Sequence, residues 1–405
     1  MTACPVCRTP SEQPFLERHP VPVHQNLIVR DVGAAQALNR GRLALHACEA
    51  CGFVFNAAFD PSLLSYGDAY DNTQSHSPAF QSYVQDLADH VVNDRGVRGQ
   101  RIVEIGCGKG SFLRALIQAD EGNRGVGFDP SYIGPDSEYG GRIRFERRFY
   151  DSTCADTEAD AIVCRHVIEH VPDPVALLRT VRATLGPSAK VFFETPCVEW
   201  ILSNMVLWDF FYEHCSYFSA GSLAAAFETA GFSVDEVRHV FGGQYLWVES
   251  SPKGAWHQSD ASRTKWRQAP FSAAGTVPGL AREFARGEAL QVSSMRRRLE
   301  ALAADGPLAM WGAAAKGVTL ANLCDPDRRL IACIVDLNPN KQGAYLPGTG
   351  HRIVGPQDLA ALGVRTAVVT NPNYMDENSR LLREASLDVR LVDLMQPGEV
   401  DAHRH

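Results

Sequence analysis

The sequence has no run of about 18 apolar residues, so no segment reads as a helix that crosses a bilayer. It has no excess of basic charge either. Lys and Arg number 39 against 47 Asp and Glu, a net charge of −8. A chain whose main task is gripping phosphate backbones presents basic stripes, and this balance argues against nucleic acid as a partner. The opening residues MTACPVCRTPSEQPF lack a basic stretch followed by an apolar one, so no secretory signal is expected and the expected location is cytoplasmic. Eleven cysteines in 405 residues are too dilute for a disulfide scaffold. No short-period repeat or low-complexity tract is visible. What remains is a 45% apolar chain long enough for two or three domains.

Four of the cysteines form a pattern. Cys4 and Cys7 are separated by two residues, and so are Cys48 and Cys51. Each gap lets a tight turn aim both sulfurs at one cation, and Gly52 supplies permissive backbone at the second turn. Four thiolates close a tetrahedral shell and leave no open position, so the expected zinc ion is structural rather than catalytic. The other seven cysteines are scattered singly. His46 lies close by and is expected to pack rather than to act as a fifth ligand.

Composition and periodicity divide the chain. A metal-stapled unit with short strands is expected over 1–75, a βα alternation over 76–255, a linker with a basic amphipathic helix over 256–305, and a second βα alternation over 306–405. Within the first alternation, helical spacing over 76–100 leads into RIVEIGCGKGSFLRAL. Strands follow at RGVGFD, DAIVC, KVFFET and QYLWVES. The helix PVALLRTVRATLG is expected to stop at Gly186-Pro187. In the linker helix, Val292, Met295, Leu299 and Leu302 share one face and Arg296, Arg297 and Arg298 a solvated one. The tail DAHRH is expected to fray.

The chemical anchor is Val103-Glu104-Ile105-Gly106-Cys107-Gly108-Lys109-Gly110, an apolar strand that ends in alternate glycines and opens a helix. Such a loop lets backbone amides approach a ligand closely. The next strand ends in Asp129, placed to accept ribose hydroxyls of a nucleoside. The strand after that ends in RHVIEHVPDP. Glu104 and the tight glycine spacing depart from a dinucleotide fingerprint, so a dehydrogenase is the weaker reading.

VEIGCGKG, Asp129 and RHVIEHVPDP resemble the class I S-adenosylmethionine-dependent methyltransferases over about residues 95–250. With the four-cysteine unit in front, the Tyr212-Glu213-His214 segment in the middle and WGAAAKG behind, the whole chain resembles the three-domain bacterial sugar C-methyltransferases. These act on nucleotide-linked 4-keto-deoxysugars in natural-product biosynthesis. The resemblance implies a class I Rossmann-like α/β core between a small zinc-binding domain and a C-terminal Rossmann-like α/β domain. It implies Glu104, Gly106, Gly108, Gly110 and Asp129 around S-adenosyl-L-methionine; from their place in the chain, Tyr70 and Tyr66 are expected to cap that cofactor from the linker side and His166 to lie near it or the substrate. His214 then matches the catalytic base and Glu213 its neighbour. Two positions depart from the family: Phe211 stands where its tyrosine falls, with Tyr212 one step later as the substitute, and Phe241 stands where a histidine precedes Gly242-Gly243.

The residues support the same site independently. WDFFYEHCSYFS packs aromatics around Asp209, Glu213 and His214, following a strand that ends Glu194-Thr195-Pro196, and carboxyl edges of α/β sheets bind substrates. A histidine of ordinary titration range suits proton abstraction near neutral pH. In HVIEH, His166 is expected near cofactor or substrate and His170 packed. Lys316, with Gly312, is expected to hold phosphate, and Asn371, Asn373 and Tyr374 to line the same cleft. A second reading gathers Glu194, Glu199, Asp209, Glu213 and Glu249 into a pocket for an amine or guanidinium, making the chain an N-methyltransferase. A third makes it an inactive scaffold, which the intact cofactor cradle disfavours. The expected partner is a small-molecule substrate, with no nucleic acid and no membrane, and the chain a monomer or homodimer.

Overall fold

The computed structural model describes residues 2–65, 67, 69–73, 76–154, 157–254 and 276–396. Tyr66, residues 255–275 (the end of the 76–255 unit and the first part of the expected linker) and the tail lie outside them. No helix among the described residues is long and apolar enough to cross a membrane.

The N-terminal unit opens with a small ribbon, β1 (Thr2–Ala3) against β2 (Pro10–Ser11). An antiparallel sheet follows from β3 (Leu16–Pro22), β4 (Arg40–Ala47) and β5 (Val54–Asn56). Between β3 and β4 lies a short helix, α1 (Val32–Gln36), capped by the Asp31 carboxylate, in a stretch that reads from its sequence as strand. The fourth strand of this sheet comes from far along the chain. It is β12 (Ser216–Tyr217), which pairs with β5.

The central sheet has eight strands. These are β6 (Arg101–Ile105), β7 (Arg124–Phe128), β8 (Ser137–Glu138), β9 (Ile143–Glu146), β10 (Ala159–Arg165), β11 (Leu185–Pro196), β13 (Phe232–Val240) and β14 (Tyr245–Pro252). Their order is β13-β14-β11-β10-β6-β7-β9-β8, with the β11-β10-β6-β7-β9 run parallel and β14 antiparallel to both its neighbours. Parallel strands need covered faces. Here α2 (Pro78–Asp89), α3 (Ser111–Gln118), α4 (Pro174–Ala183) and α6 (Ala220–Thr229) lie between strands, while α5 (Val198–Ser203) opens the excursion that leads to β12. The helix expected over 76–100 is α2, Ser77 capping its first turn, widened at its end into a π turn, His90–Asp94. The expected stop at Gly186-Pro187 is overridden: α4 ends at Ala183, and β11 already runs from Leu185. Pro187 is tolerated there because that end of the strand is exposed and its register to β10 slips.

The C-terminal unit is a five-stranded parallel sheet with order β17-β16-β15-β18-β19. Its strands are β15 (Leu308–Trp311), β16 (Ile331–Val335), β17 (Ile353–Val354), β18 (Thr366–Val369) and β19 (Arg390–Asp393), with helices α8 (Ala315–Cys324) and α9 (Met375–Glu384). A long helix, α7 (Thr276–Ala304), packs Met295 and Leu299 into a core shared with α5, β3 and this sheet, with Val292 and Leu302 partly buried beside them. Its arginine face is not wholly solvated, because Arg298 donates to the carbonyls of Asp393, Leu394 and Gln396 and ties α7 to the end of β19.

Candidate active site

The glycine loop is built by the close approach of β6 and β7. The amides of Gly106 and Cys107 both donate to the Phe128 carbonyl (2.8 and 3.1 Å), turning the chain sharply off β6. Gly106, Gly108 and Gly110 all have positive φ, at 70°, 53° and 78°. Only at Gly108 is there open space where a side chain would begin; a Cβ on Gly106 meets Val167, and one on Gly110 meets Phe145. The Gly108 amide donates to Asp129 Oδ2 (2.8 Å), and the Ser131 amide and hydroxyl both donate to Oδ1 (2.7 Å each). This fixes the carboxylate at the tip of β7. Glu104 is buried and accepts from the Leu113 amide at 3.1 Å. Burial pushes its carboxyl up to about 8, against the pull of Arg165. An acid held near neutrality in this way gains from a cation beside it, and the amino-acid end of S-adenosylmethionine carries one. The open space at Gly108, the anchored Asp129 and this buried acid fit that cofactor.

A cleft of about 1540 Å³, counting its open mouth, lies where the three units meet. Its core wall carries His166, Glu169, His170, Asp209, Glu213, His214, Gln244 and Tyr245. Its C-terminal wall carries Gly312, Lys316, Asn338, Lys341, Asn371 and Tyr374, and its N-terminal wall Asn26 and Tyr70. The strand end at 165–167 joins cleft to cradle: Val167 lies against Gly106, while His166, in the left-handed region at φ 54°, lines the cleft.

His214 is delivered by β12. Because that strand pairs with β5, and the Asn56 amide donates to the Cys215 carbonyl (2.9 Å), the segment before it is pinned between the N-terminal sheet and the core. The Cys215 amide donates to the Glu169 carbonyl (2.9 Å), closing the segment onto the end of β10. The His214 ring lies 4.1 Å from that of Phe211 and stands edge-on to His170 at 4.7 Å. Its Nδ1 is buried without a hydrogen-bond partner. Burial first, then His170, His166 and Lys316, holds its pKa well below the ordinary histidine value. Its sequence-expected titration near neutral pH is therefore corrected: the ring is neutral there, ready to accept a proton but a weaker base. His170, expected to be packed, instead lines the cleft and donates from Nδ1 to the Glu213 carbonyl at 2.9 Å. Glu169, which the sequence reading missed, is buried among these rings, with Oε1 3.3 Å from His166 Nδ1 and Oε2 accepting from Thr195 (3.1 Å). Its only sequence signal was its place between the two histidines of HVIEH.

Three expected site residues lie elsewhere. Tyr212 turns away from the cleft. Its ring packs on Gly41, Val23 and Leu43, and its hydroxyl bonds the Asp60 amide (2.8 Å) and carbonyl (3.3 Å). Asn373 donates to the Phe241 carbonyl (2.9 Å) and so latches the C-terminal unit to the Gly242-Gly243 turn; its neighbours Asn371 and Tyr374 line the cleft. Glu194 is fully buried and already matched by Arg165 (2.6 Å) and the Tyr83 hydroxyl. Burial opposes its ionisation, but Arg165, His166 and Tyr83 hold its pKa below the ordinary value. Phe241 sits in an aromatic cluster with Phe80, Tyr83, Tyr245 and Tyr374.

The carboxylates of the amine reading do not gather. Glu249 is buried in a network with His90, Arg95 and Trp247. Glu199 is half-buried and accepts from the Ala220 amide. Asp209 is paired with Lys316, and Glu213 accepts from the Gln25 amide (2.9 Å). Only Asp209 and Glu213 reach the cleft, and each already has a partner there.

The four patterned cysteines converge. Cys4 and Cys51 sulfurs are 3.6 Å apart, and those of Cys7 and Cys48 3.4 Å. A tetrahedral ion with Zn–S bonds of ~2.3 Å spaces its ligands by about 3.8 Å. The two turns are copies: the Arg8 amide donates to the Cys4 carbonyl and the Gly52 amide to that of Cys48, both at 2.9 Å. Arg8 (φ 64°) thus occupies the left-handed position that Gly52 (φ 72°) fills without strain. His46 stacks on Phe55 and bonds Ser11, a packing residue.

Residues 74–237 match the methyltransferase domain family and residues 280–386 the C-methyltransferase C-terminal domain family. The C-methyltransferase NovU of Streptomyces niveus is 28% identical over 310 residues, 72% of this chain and 71% of that protein. A ubiquinone biosynthesis O-methyltransferase of Vibrio campbellii is 28% identical over 130 residues, 29% of this chain and 51% of that protein. Among solved structures, CalO1, a methyltransferase in calicheamicin biosynthesis in its SAH-bound form, is 17% identical, covering 41% of this chain and 54% of that one with a TM-score of 0.33.

Proposed function

Because the chain belongs to the S-adenosylmethionine-dependent C-methyltransferases, we propose that it methylates a carbon next to the ketone of a nucleotide-linked ketosugar. The observation that carries this reading is the shape of one cleft: a histidine cluster at one wall faces a Lys- and Asn-bearing wall contributed by the parallel C-terminal sheet.

In this reading Glu104, the loop at Gly106, Gly108 and Gly110, and Asp129 hold the cofactor, with His166 where cradle and cleft meet and Tyr70 on the N-terminal wall. The bound cofactor supplies an electrophilic methyl group for in-line displacement. A carbon beside a ketone is not nucleophilic until it loses a proton. Neutral His214 removes that proton, and the ketone withdraws the resulting electron pair as an enolate. The imidazolium left behind is stabilised by the buried Glu169 carboxylate, which lies within 4.8 Å of both His170 and His214. Glu213 positions this segment rather than touching substrate, since it is engaged by Gln25. Lys316, crossing to Asp209, and Lys341 are the cations facing a diphosphate. The four-cysteine cluster holds a structural zinc ion that fixes the sheet to which β12 adds. On this view the functional units are 1–75, 76–255 and 306–405, with 256–305 as the connector.

The N-methylation reading loses its basis, because the acids on which it rests are dispersed and compensated. The test is to incubate the enzyme in D2O with a nucleotide-linked 4-keto-deoxysugar and no cofactor, then to add S-adenosylmethionine. Deuterium uptake at the carbon beside the ketone, lost in His214→Ala, followed by gain of one CH2 unit in mass, is the expected result. Methylation of an amine with no exchange in any ketosugar overturns it.

A further inference from the structure

We propose that Cys197, Glu199 and His239 form a second metal site, for a zinc-class divalent cation, separate from the four-cysteine cluster. Cys197 follows β11 and begins α5; Glu199 stands two residues on in the first turn of that helix. His239 is on β13, which the strand order β13-β14-β11 brings alongside. One donor atom from each lies within 4.8 Å of the other two.

The geometry already matches an ion on one edge. Cys197 Sγ lies 3.5 Å from His239 Nε2. Bonds of ~2.3 Å to sulfur and ~2.0–2.1 Å to nitrogen at a tetrahedral angle set that separation at about 3.5–3.6 Å. Glu199 uses Oε2 to accept from the Ala220 amide at 3.3 Å, which orients the carboxylate. Three protein donors leave one position for water, unlike the closed four-thiolate shell.

A thiol, a carboxyl and an imidazole are donor types that a zinc-class ion takes. Binding exchanges the thiol proton for the metal–sulfur bond and releases that proton to solvent. His239 is exposed and gives the ion its way in. On the other side of α5, Ile201 lines the cleft and Trp200 lies under the Lys316 ammonium at 5.6 Å. An ion here ties α5 to β13 behind the cleft wall.

The test is a Co2+ titration of the full-length protein, followed by thiolate-to-cobalt absorption, with total metal counted by mass spectrometry. Exchange into the four-cysteine cluster is common to all variants and subtracts out. The wild type is expected to take one further equivalent, weakened at least about tenfold in His239→Ala, the size of effect even outer-shell changes produce. Cys197→Ser should abolish the absorption band; because Cys197 is fully buried, the exposed His239 carries the test if that variant does not fold. Absence of a further equivalent, one that His239→Ala retains, or one lost only in His214→Ala overturns the proposal.

Discussion

Gly108→Ala, read against Gly106→Ala, separates the cofactor cradle from the stability of the fold. Both glycines have positive φ, where an L side chain costs ~1–2 kcal/mol. At Gly108 nothing lies within 4 Å of the added Cβ, so that strain is the whole folding cost. At Gly106 the Cβ would lie 2.1 Å from Val167 Cγ2, and overpacking of this kind adds a further ~1–3 kcal/mol. With a shift of roughly 2–4 °C per kcal/mol, Gly106→Ala should lose about twice the melting temperature that Gly108→Ala loses. Cofactor affinity should reverse that order of severity. In the proposed placement the ligand approaches backbone at the open space of Gly108, so its methyl should weaken S-adenosylmethionine binding by tenfold or more, ~1.4 kcal/mol. The amide that Gly108 gives to Asp129 is backbone and survives the change. Thermal melts and calorimetric titration measure both quantities. A folded Gly108→Ala that binds the cofactor within about twofold of wild type refutes the placement of the cradle.

The site and its supports set further outcomes. Because His214 titrates well below its ordinary value, kcat/KM for the proposed reaction should stay level as pH falls through about 6.5, with its acid limb lower. The unfolded chain protonates this histidine first, so its contribution to stability is complete above about pH 6.5 and is lost as pH falls from there toward the folded value; a melt series across that window checks the sign. Replacing His214 by Asn should lower kcat by ~10²–10⁴ and leave cofactor affinity unchanged, and equal losses in both would remove it from the role of base. Tyr212→Phe removes two hydrogen bonds to Asp60 and should cost ~1–3 kcal/mol of stability with kcat nearly intact; a large fall in kcat would return it to the catalytic set. Chelation under mild denaturant should release the zinc ion of the four-cysteine cluster and lower the melting temperature, and Cys48→Ala should bind none at that site.

The local signals in the chain were enough for its fold class. Alternate glycines after an apolar strand demand a turn with positive φ, and paired CxxC turns demand a common point for four sulfurs; both constraints act within a few residues, so spacing reveals them. The parallel strands also declare themselves, because burial on both faces leaves continuous apolar runs such as DAIVC and KVFFET. What spacing cannot express is which distant groups share a volume. Tyr212 and His214 are two residues apart, yet Tyr212 packs with Val23 and Leu43 while His214 lines the cleft, because the chain turns at Tyr212-Glu213 before β12 joins the sheet of β5. Glu169 acquires its place only when β10, β11 and the His214 segment close around it, and Glu194 loses its freedom to Arg165 and Tyr83 from two other elements. Charge compensation at a buried site is settled by contacts across the whole chain, and it was the tertiary structure that decided which acids and histidines remain available to a substrate.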